Sequence, residues 1–300
     1  MLRLSLRYRS ATAVIIMGLL LSEPCLAGPF GSPTERLLSE ATSSPGVTSE
    51  NYNGRELLVY AAPNMPGRGK RALVIVLHGG LGNASRIEGG ASEKGLKMDE
   101  VARKNSFIVA YLNGTPVTRR FGPDKLGWNA GGGCCGVPAE NNVDDVGYIT
   151  NAVKHLVDEY GVDPSRVYGI GHSNGAMMTM RLMCEANIYA AAVSISGPLN
   201  LTVQNCPGAR GKHILAIHGE DDQNVPILGG QGAKGLSRVS YKSEKYTQQI
   251  FAASGADFRL QAVSGADHFL DNINARIEQT EGVSIAEKIA LFFGLAEERP

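Results

Sequence analysis

A serine lies between two glycines in the segment Gly171-His172-Ser173-Asn174-Gly175. The strand-like residues 165–173 lead into it and a run of helix formers follows, which is the strand–turn–helix context of a nucleophile elbow. Side chains beside the serine would collide in so sharp a turn, and the two glycines remove those collisions. The pattern predicts that Ser173 is an exposed nucleophile at a helix N-terminus, where amide groups favour an oxyanion.

A serine hydroxyl is a weak nucleophile, so it needs a base, and the base needs an orienting acid. In this kind of site the chain order is serine, acid, histidine. His268 lies in a loop after the penultimate predicted strand, and we predict that it is the base. Asp222 follows the predicted strand 212–219, and we predict that it is the acid. His218 ends that strand and faces the site in this interpretation, but it precedes the acid loop.

Other carboxylates compete for the orienting role. Asp221 is the runner-up to Asp222, and Asp144, Asp145 and Asp267 are further alternatives. We interpret Asp144 and Asp145 as charges at a helix N-terminus. Asp267 is too close to His268 in the sequence for the usual geometry.

Two backbone amides should form an oxyanion hole. One is predicted to be that of Asn174, the residue after the nucleophile, and the other to come from the loop after the strand 71–77. Gly80 is the predicted donor in that loop, with Leu81 as the alternative. His78 is expected to brace the loop.

These residues need a sheet to position them, and the rest of the sequence predicts one. Apolar strand patterns alternate with helical patterns, which predicts an α/β fold with a mostly parallel sheet and helices on both faces. The predicted strands are 55–63, 71–80, 106–114, 165–173, 189–197, 212–219 and 257–265. The predicted helices are 93–105, 142–161, 175–186, 241–254 and 284–294.

The first 27 residues have the pattern of a signal peptide. Three arginines precede an apolar run of eleven residues, and small residues follow, with cleavage expected after Ala27. We therefore expect a secreted or periplasmic protein with no stable membrane association once the leader is removed. Residues 28–50 are interpreted as an irregular lead-in, and 51–300 as a single catalytic domain.

Charge and cysteine content narrow the function classes. The 300 residues carry 29 basic and 29 acidic side chains, and this balance argues against a nucleic-acid partner. Four cysteines remain after the leader, Cys134, Cys135, Cys184 and Cys206, and an exported chain is expected to pair them in two disulfides. A bond between adjacent cysteines is strained, so we expect Cys134 and Cys135 each to pair with one of the other two. Their spacing supports no zinc site.

Five segments together resemble the secreted poly(3-hydroxybutyrate) depolymerase and feruloyl esterase family, which also covers acetyl and aryl esterases. They are LHGG (77–80), GWNAGGGCCG (127–136), VDDVGYI (143–149), VDPSRVYGIGHSNGAMM (162–178) and HGEDDQNVP (218–226). The resemblance implies an α/β-hydrolase fold, an ester substrate, and no metal or cofactor.

The same resemblance implies roles for individual residues. Ser173 matches the nucleophile, Asp222 the acid of an H-G-x-x-D-x-x-V-P pattern, and His268 the base. Trp128 and Asn129 match a loop that lines the cleft and are candidate substrate-binding residues. Cys134 and Cys135 match the paired cysteines of the family.

The predicted function is that of a serine carboxylic-ester hydrolase. Members of the family often carry a tryptophan close to the base, whereas residues 264–270 here contain none, and we expect no polymer-binding module beside the catalytic domain. Soluble hydroxyalkanoate oligomers and feruloyl or other aryl and acetyl esters are therefore both expected substrates. A peptidase, and a non-catalytic relative that binds polymer or carbohydrate, are more distant alternatives. A mobile wall over 223–240 is a further hypothesis.

Overall fold

The computed structural model describes residues 44–89, 94–118, 122–235 and 238–297. The predicted signal peptide, 1–27, lies outside these residues, as does most of the predicted lead-in. Within the described residues, no helix is both long and apolar enough to cross a membrane.

Eight strands form one sheet in the spatial order β1-β2-β4-β3-β7-β8-β9-β10. The pairs β1–β2 and β2–β4 are antiparallel, and every other pair is parallel. The eight are β1 Val47–Tyr52, β2 Arg55–Ala61, β3 Arg71–Leu77, β4 Ile108–Leu112, β7 Val162–His172, β8 Ala191–Ile195, β9 His213–Gly219 and β10 Asp257–Val263. Two short strands, β5 Thr115–Pro116 and β6 Leu126–Gly127, pair separately.

Helices cover both faces of this sheet. Along the chain they are α1 Ala84–Glu88, α2 Met98–Asn105, α3 Val137–Glu140, α4 Asp145–Tyr160, α5 Asn174–Glu185, α6 Glu244–Ala253, α7 Leu270–Glu281 and α8 Ile285–Phe292. Helices α4, α5 and α6 pack on one face, and α1, α2, α7 and α8 on the other. The predicted arrangement of a mostly parallel sheet between two helical layers is therefore confirmed.

Strand β3 illustrates why its sequence is apolar throughout. Leu73, Ile75 and Leu77 point into one hydrophobic core, whereas Val74 and Val76 point into the other. A central parallel strand that is covered on both faces has no solvent side, so it shows no alternation of polar and apolar residues. The carboxyl end of this strand leads directly to the glycine-rich loop 78–82.

The predicted lead-in needs one correction. Its last residues, 47–50, belong to strand β1, which pairs with β2 across a two-residue turn. Asn53 and Gly54 form that turn with φ of 49° and 76°, the left-handed values that a tight hairpin requires. The Asn-Gly signal is visible in the sequence, but the prediction did not use it. The helix predicted from residue 93 also begins later, at Met98.

The disulfide pairing differs from the expected one. Cys184 pairs with Cys206, and Cys134 pairs with its neighbour Cys135, so the expectation that the adjacent cysteines pair elsewhere was wrong. Cys184 lies in the last turn of α5, and Cys206 precedes the short 3-10 helix Pro207–Ala209, which packs against α5. The four cysteines of the described residues are thus all paired.

Removing the Cys184–Cys206 bond should destabilise the fold. The bond closes a loop of 22 residues, and the chain entropy of such a loop corresponds to about 3 kcal/mol of unfolding free energy. Cys184→Ser in the oxidised protein is expected to lose about this amount in urea unfolding. Once both proteins are reduced their stabilities should coincide, and a difference that persists would mean that packing rather than the cross-link is responsible.

Candidate active site

Ser173 stands at the turn between strand β7 and helix α5, in the conformation expected of a nucleophile elbow. Its φ of 55° and ψ of −120° are strained for a residue with a side chain. A Cβ at Gly171 would overlap the carbonyl of Gly175, and a Cβ at Gly175 would overlap the carbonyls of Leu77 and His78. Both glycines are therefore required by close backbone packing, which fixes where the serine stands.

The structure brings the three predicted triad residues together at the carboxyl ends of three parallel strands of the sheet. His268 Nε2 lies 2.9 Å from Ser173 Oγ, and His268 Nδ1 lies 2.7 Å from Asp222 Oδ2. Because a carboxylate only accepts, Nδ1 carries the proton and donates to Asp222. Nε2 then has a free lone pair and accepts from the serine hydroxyl. The serine follows β7, the aspartate β9 and the histidine β10. This geometry is that of a nucleophile, a base and an orienting acid.

Asp222 is held ionised by its neighbours. Its Oδ1 accepts hydrogen bonds from the amides of Asn224 and Val225, both at 2.8 Å. Burial by itself would raise the pKa of Asp222, but hydrogen bonds from His218 and His268 outweigh it and hold that pKa well below its ordinary value. The His268 ring therefore faces an anionic carboxylate.

The alternative acids lie elsewhere or are engaged differently. Asp221 is exposed. Asp267 accepts from the amide of Phe269. Asp144 caps helix α4 through the amide of Gly147, and Asp145 pairs with Arg55. In the described part of the chain, the two ring nitrogens of His268 bond to Asp222 and Ser173 and to none of these four carboxylates.

The loop after β3 lies against the nucleophile, as an oxyanion loop would. A Cβ added at Gly80 would stand 3.7 Å from the Cβ of Asn174, so the two residues are immediate neighbours. Asn174 is the first residue of α5, and an amide at that position has no acceptor within the helix. Both residues border the cleft, and the oxyanion hole that they would form stays a prediction.

His78 holds this loop in place through both ring nitrogens. Nε2 accepts from the amide of Gly114 at 3.0 Å, and Nδ1 lies 2.8 Å from the carbonyl of Gly79. A carbonyl only accepts, so the proton is on Nδ1 and the ring is neutral. Burial lowers the pKa of His78 to about 4, in agreement with that assignment.

His172 packs against His268, a contact that was not predicted. Its Nε2 lies 2.9 Å from the carbonyl oxygen of His268, to which it donates. Burial and the nearby His268 lower the pKa of His172 to about 3, so it stays neutral. The sequence offered only its place beside Ser173 in the elbow, where any residue type is compatible with the motif.

Trp128 and Asn129 do not line the cleft, which corrects the expectation that they bind substrate. Trp128 is fully buried, and its indole donates to the carbonyl of His78 at 3.0 Å. The side chain of Asn174 pairs with both backbone groups of Trp128, at 2.7 and 3.0 Å. The amide of Asn129 donates to Asp145. Through these contacts, Trp128 and Asn129 anchor their own loop, which in turn holds the side chain of Asn174.

A cleft of about 1720 Å³ opens above Ser173. Its wall includes residues 78–82, residues 267–272 and parts of the segment 223–240, namely Asn224, Val225, Gly235, Arg238 and Val239. Phe269 lies in the wall beside the base: it is 54% exposed, and its ring meets the His268 ring edge-on at 5.9 Å. The hypothesis that 223–240 moves stays a prediction, and residues 236–237 lie outside the described residues.

The chain is similar to a family of phospholipases and carboxylesterases and to several proteins named as esterases. The model of the phospholipase/carboxylesterase family matches residues 61–274. The putative esterase NocK of Nocardia uniformis subsp. tsuyamanensis is 28% identical over 204 residues, 66% of this chain and 54% of its own length. Poly(3-hydroxybutyrate) depolymerase of Ralstonia pickettii is 30% identical over 177 residues, 54% of this chain and 34% of its own.

The chain is also similar to a fungal protein and to a solved esterase structure. The probable feruloyl esterase C of Aspergillus clavatus is 28% identical over 184 residues, 61% of this chain and 60% of its own. This chain thus spans less than two thirds of the length of each of these three relatives. The apo structure of Thermogutta terrifontis esterase 2 superposes with a TM-score of 0.56 at 14% identity, covering 86% of this chain and 98% of that one. The structural likeness shows the fold, and the relatives confirm the predicted resemblance.

Proposed function

This chain belongs to the phospholipase/carboxylesterase family, and from that premise we propose that it is a secreted serine carboxylic-ester hydrolase acting on poly- or oligo-hydroxyalkanoates. The observation that carries the proposal is the continuous chain of hydrogen bonds from Ser173 through His268 to Asp222, at the floor of an open cleft. A non-catalytic relative would have no need to retain all three groups at bonding distance.

The reaction follows from these positions. Ser173 Oγ attacks the ester carbonyl while His268 Nε2 takes its proton, and the amides of Gly80 and Asn174 hold the resulting oxyanion. His268 returns the proton to the leaving alcohol, and a water activated by the same nitrogen then releases the acid from Ser173. Asp222 stabilises the imidazolium in both halves of the cycle. Each oxyanion donor would contribute about 10²–10³-fold to turnover.

The size of the cleft supports an extended ester substrate. Its volume of about 1720 Å³ exceeds the ~300–1,000 Å³ of pockets that enclose one small ligand. A cleft of this volume could hold several ester units of a hydroxyalkanoate oligomer. The alternative is a feruloyl or other aryl or acetyl esterase, and the exposed ring of Phe269 beside the base favours it.

The proposed location outside the cytoplasm rests on two features. The predicted signal peptide, 1–27, would export the chain, and residues 51–300 would form its catalytic domain. The two disulfides support this proposal, because such bonds persist in oxidising compartments.

The first test is hydrolysis by the mature protein from residue 28. Turnover of short-chain p-nitrophenyl esters would support an esterase, and rates on hydroxybutyrate oligomers against methyl ferulate would distinguish the two substrate classes. A fluorophosphonate should modify Ser173, identified by peptide mass spectrometry. Absence of both turnover and labelling in a folded sample would contradict the proposal.

Phe269 should select for the alcohol half of the substrate. The leaving oxygen must come within reach of His268 Nε2, so groups attached to it lie on the side of the site where Phe269 is exposed. Phe269→Ala is expected to lower kcat/KM for phenyl butyrate about tenfold, the value of one aromatic contact, and to leave methyl butyrate nearly unchanged.

Leu228→Ala provides the matched control for this substitution. Leu228 is the other large hydrophobic side chain that is exposed among the described residues, and it does not line the cleft. Leu228→Ala should leave kcat/KM unchanged for both phenyl butyrate and methyl butyrate. Equal losses on both esters in Phe269→Ala would show that the ring supports His268 rather than the alcohol.

A further inference from the structure

A second histidine–carboxylate contact lies beneath the triad. His218 Nδ1 is 2.8 Å from Glu244 Oε1, and His218 Nε2 is 2.8 Å from the carbonyl of Val225 and 3.3 Å from Asp222 Oδ2. His218 is fully buried and Glu244 nearly so, and neither lines the cleft. The contacts therefore continue from Ser173, His268 and Asp222 to a pair that cannot touch substrate.

The geometry fixes where the protons of this pair are. The Val225 carbonyl can only accept, so His218 Nε2 carries a hydrogen. Nδ1 faces a carboxylate and shares a second proton with it. Burial opposes a charge on His218, but the hydrogen bonds with Asp222 and Glu244 outweigh it and raise the pKa of His218 to about 9. At neutral pH the ring is an imidazolium that donates from both nitrogens.

Asp222 receives different partners on its two oxygens. Oδ1 accepts the two amides of the following turn, whereas Oδ2 meets both His268 and His218. His218 also binds the Val225 carbonyl, so it ties the turn 222–225 back to the end of β9. Rotation of the Asp222 carboxylate would break contacts to the turn and to both histidines at once.

The burial of the Glu244 carboxylate is energetically unfavourable, and packing alone does not explain it. It begins helix α6, where Ser243 caps the helix by accepting from the amide of Tyr246. In the part of the chain that the structure describes, its Oε2 is buried without a hydrogen-bond partner. A buried carboxylate oxygen without a hydrogen-bond partner is costly, so its presence beside His218 and Asp222 calls for an explanation.

We propose that His218 and Glu244 form a positioning pair, which holds the Asp222 carboxylate in the orientation that receives His268 and moderates its charge. The proposal rests on the esterase function above. The charged and titratable groups that face His218 are Asp222 from the acid loop and Glu244 from α6. His268 lies beyond Asp222, and His172 is close enough to sense the charge on His218.

Glu244→Gln tests the proposal with little change of shape. The amide can donate to Nδ1, so His218 becomes neutral while its Nε2–H still donates to the Val225 carbonyl and stays close to Asp222 Oδ2. Weakening one charge-assisted hydrogen bond corresponds to about a tenfold loss of kcat, and KM should be unchanged because the pair does not line the cleft. With the nearest positive charge gone, Asp222 favours the imidazolium of the triad more strongly. The acid limb of kcat/KM should then move up by on the order of 0.5–1 pH unit.

A second readout does not depend on ester turnover. The rate constant for modification of Ser173 by a fluorophosphonate should show the same upward shift of its acid limb in Glu244→Gln. Glu244→Asp keeps the carboxylate and should return the limb toward its wild-type position. Failure of the wild-type protein to react with the probe or with esters would overturn both proposals.

Stability against pH reports the state of the pair itself. A pKa raised from 6.5 to about 9 in the folded protein stabilises fully below pH 6.5, and this stabilisation is lost as the pH rises through 9. The urea midpoint of the wild type should fall across that interval, and this component of the slope should disappear in Glu244→Gln.

Asp99→Asn is the matched control. Asp99 is also a buried carboxylate with one oxygen unpartnered among the described residues, but it binds Tyr111 in the opposite layer. It should lower the urea midpoint without moving either acid limb. If Glu244→Gln also changes only stability, and both wild-type and variant limbs superimpose, the pair is structural and the proposal is wrong.

Discussion

Ser173→Ala is expected to reduce ester turnover by about 10⁴–10⁶-fold, to the residual rate that the oxyanion hole and binding provide. The substitution removes the Oγ that stands 2.9 Å from His268 Nε2, so no acyl-enzyme can form. Alanine also carries a Cβ, so it meets the same backbone strain at φ 55° as serine does. The fold should therefore be retained while the chemistry is lost.

The measurement is kcat/KM on p-nitrophenyl butyrate, together with fluorophosphonate labelling of both proteins. Ser165→Ala is the control, since Ser165 lies on the same strand but is exposed at a distance from the cleft. It should retain full activity. Turnover by Ser173→Ala above one hundredth of the wild-type value would mean that another group attacks the ester.

Asp222→Asn should lower kcat by about 10⁴-fold. The two amides that bind Oδ1 will hold the asparagine oxygen in that position, so the NH₂ group must face His268. His268 Nδ1 then accepts instead of donating, and its proton moves to Nε2. The base would present a hydrogen to Ser173 where it needs a lone pair.

The same substitution should also destabilise the protein. The new NH₂ group faces the Nε2–H of His218, so two donors oppose each other in a buried site. We expect a loss of about 1–3 kcal/mol in the free energy of unfolding, the usual cost of an unsatisfied buried polar group. Urea unfolding measures this loss separately from turnover.

Asp221→Asn distinguishes the two adjacent acids. Asp221 is exposed and was the runner-up for the orienting role. Its substitution should leave kcat within a factor of about two, because surface changes away from a site have small effects. A large loss in Asp221→Asn combined with a small one in Asp222→Asn would reverse the assignment.

The sequence was most informative where backbone geometry requires particular residue types. The elbow demands glycine at 171 and 175, and a buried central strand demands an apolar run such as 71–77. These requirements are local, so the fold class was predictable from the sequence. The chain order of serine, acid and histidine then led to Ser173, Asp222 and His268, which the structure brings together.

The sequence was least informative where a contact joins distant parts of the chain. Glu244 is separated by 26 residues from His218, and nothing in the helix pattern around it distinguishes it from a solvent-facing acid. Trp128 was expected in the cleft because it matches a loop that lines the cleft in the family that the sequence resembles. Its burial depends on the side chain of Asn174, which only the folded structure brings to it.

The helix that begins at the nucleophile ends at a disulfide. Ser173 precedes its first residue, and Cys184 in its last turn is bound to Cys206. The helix that follows Ser173 is therefore cross-linked at its other end by a bond that forms only under oxidising conditions. Reduction would leave the triad distances of a folded molecule unchanged but would shorten the time for which it stays folded. The duration of activity, rather than its rate, would then report whether the protein is in an oxidising compartment.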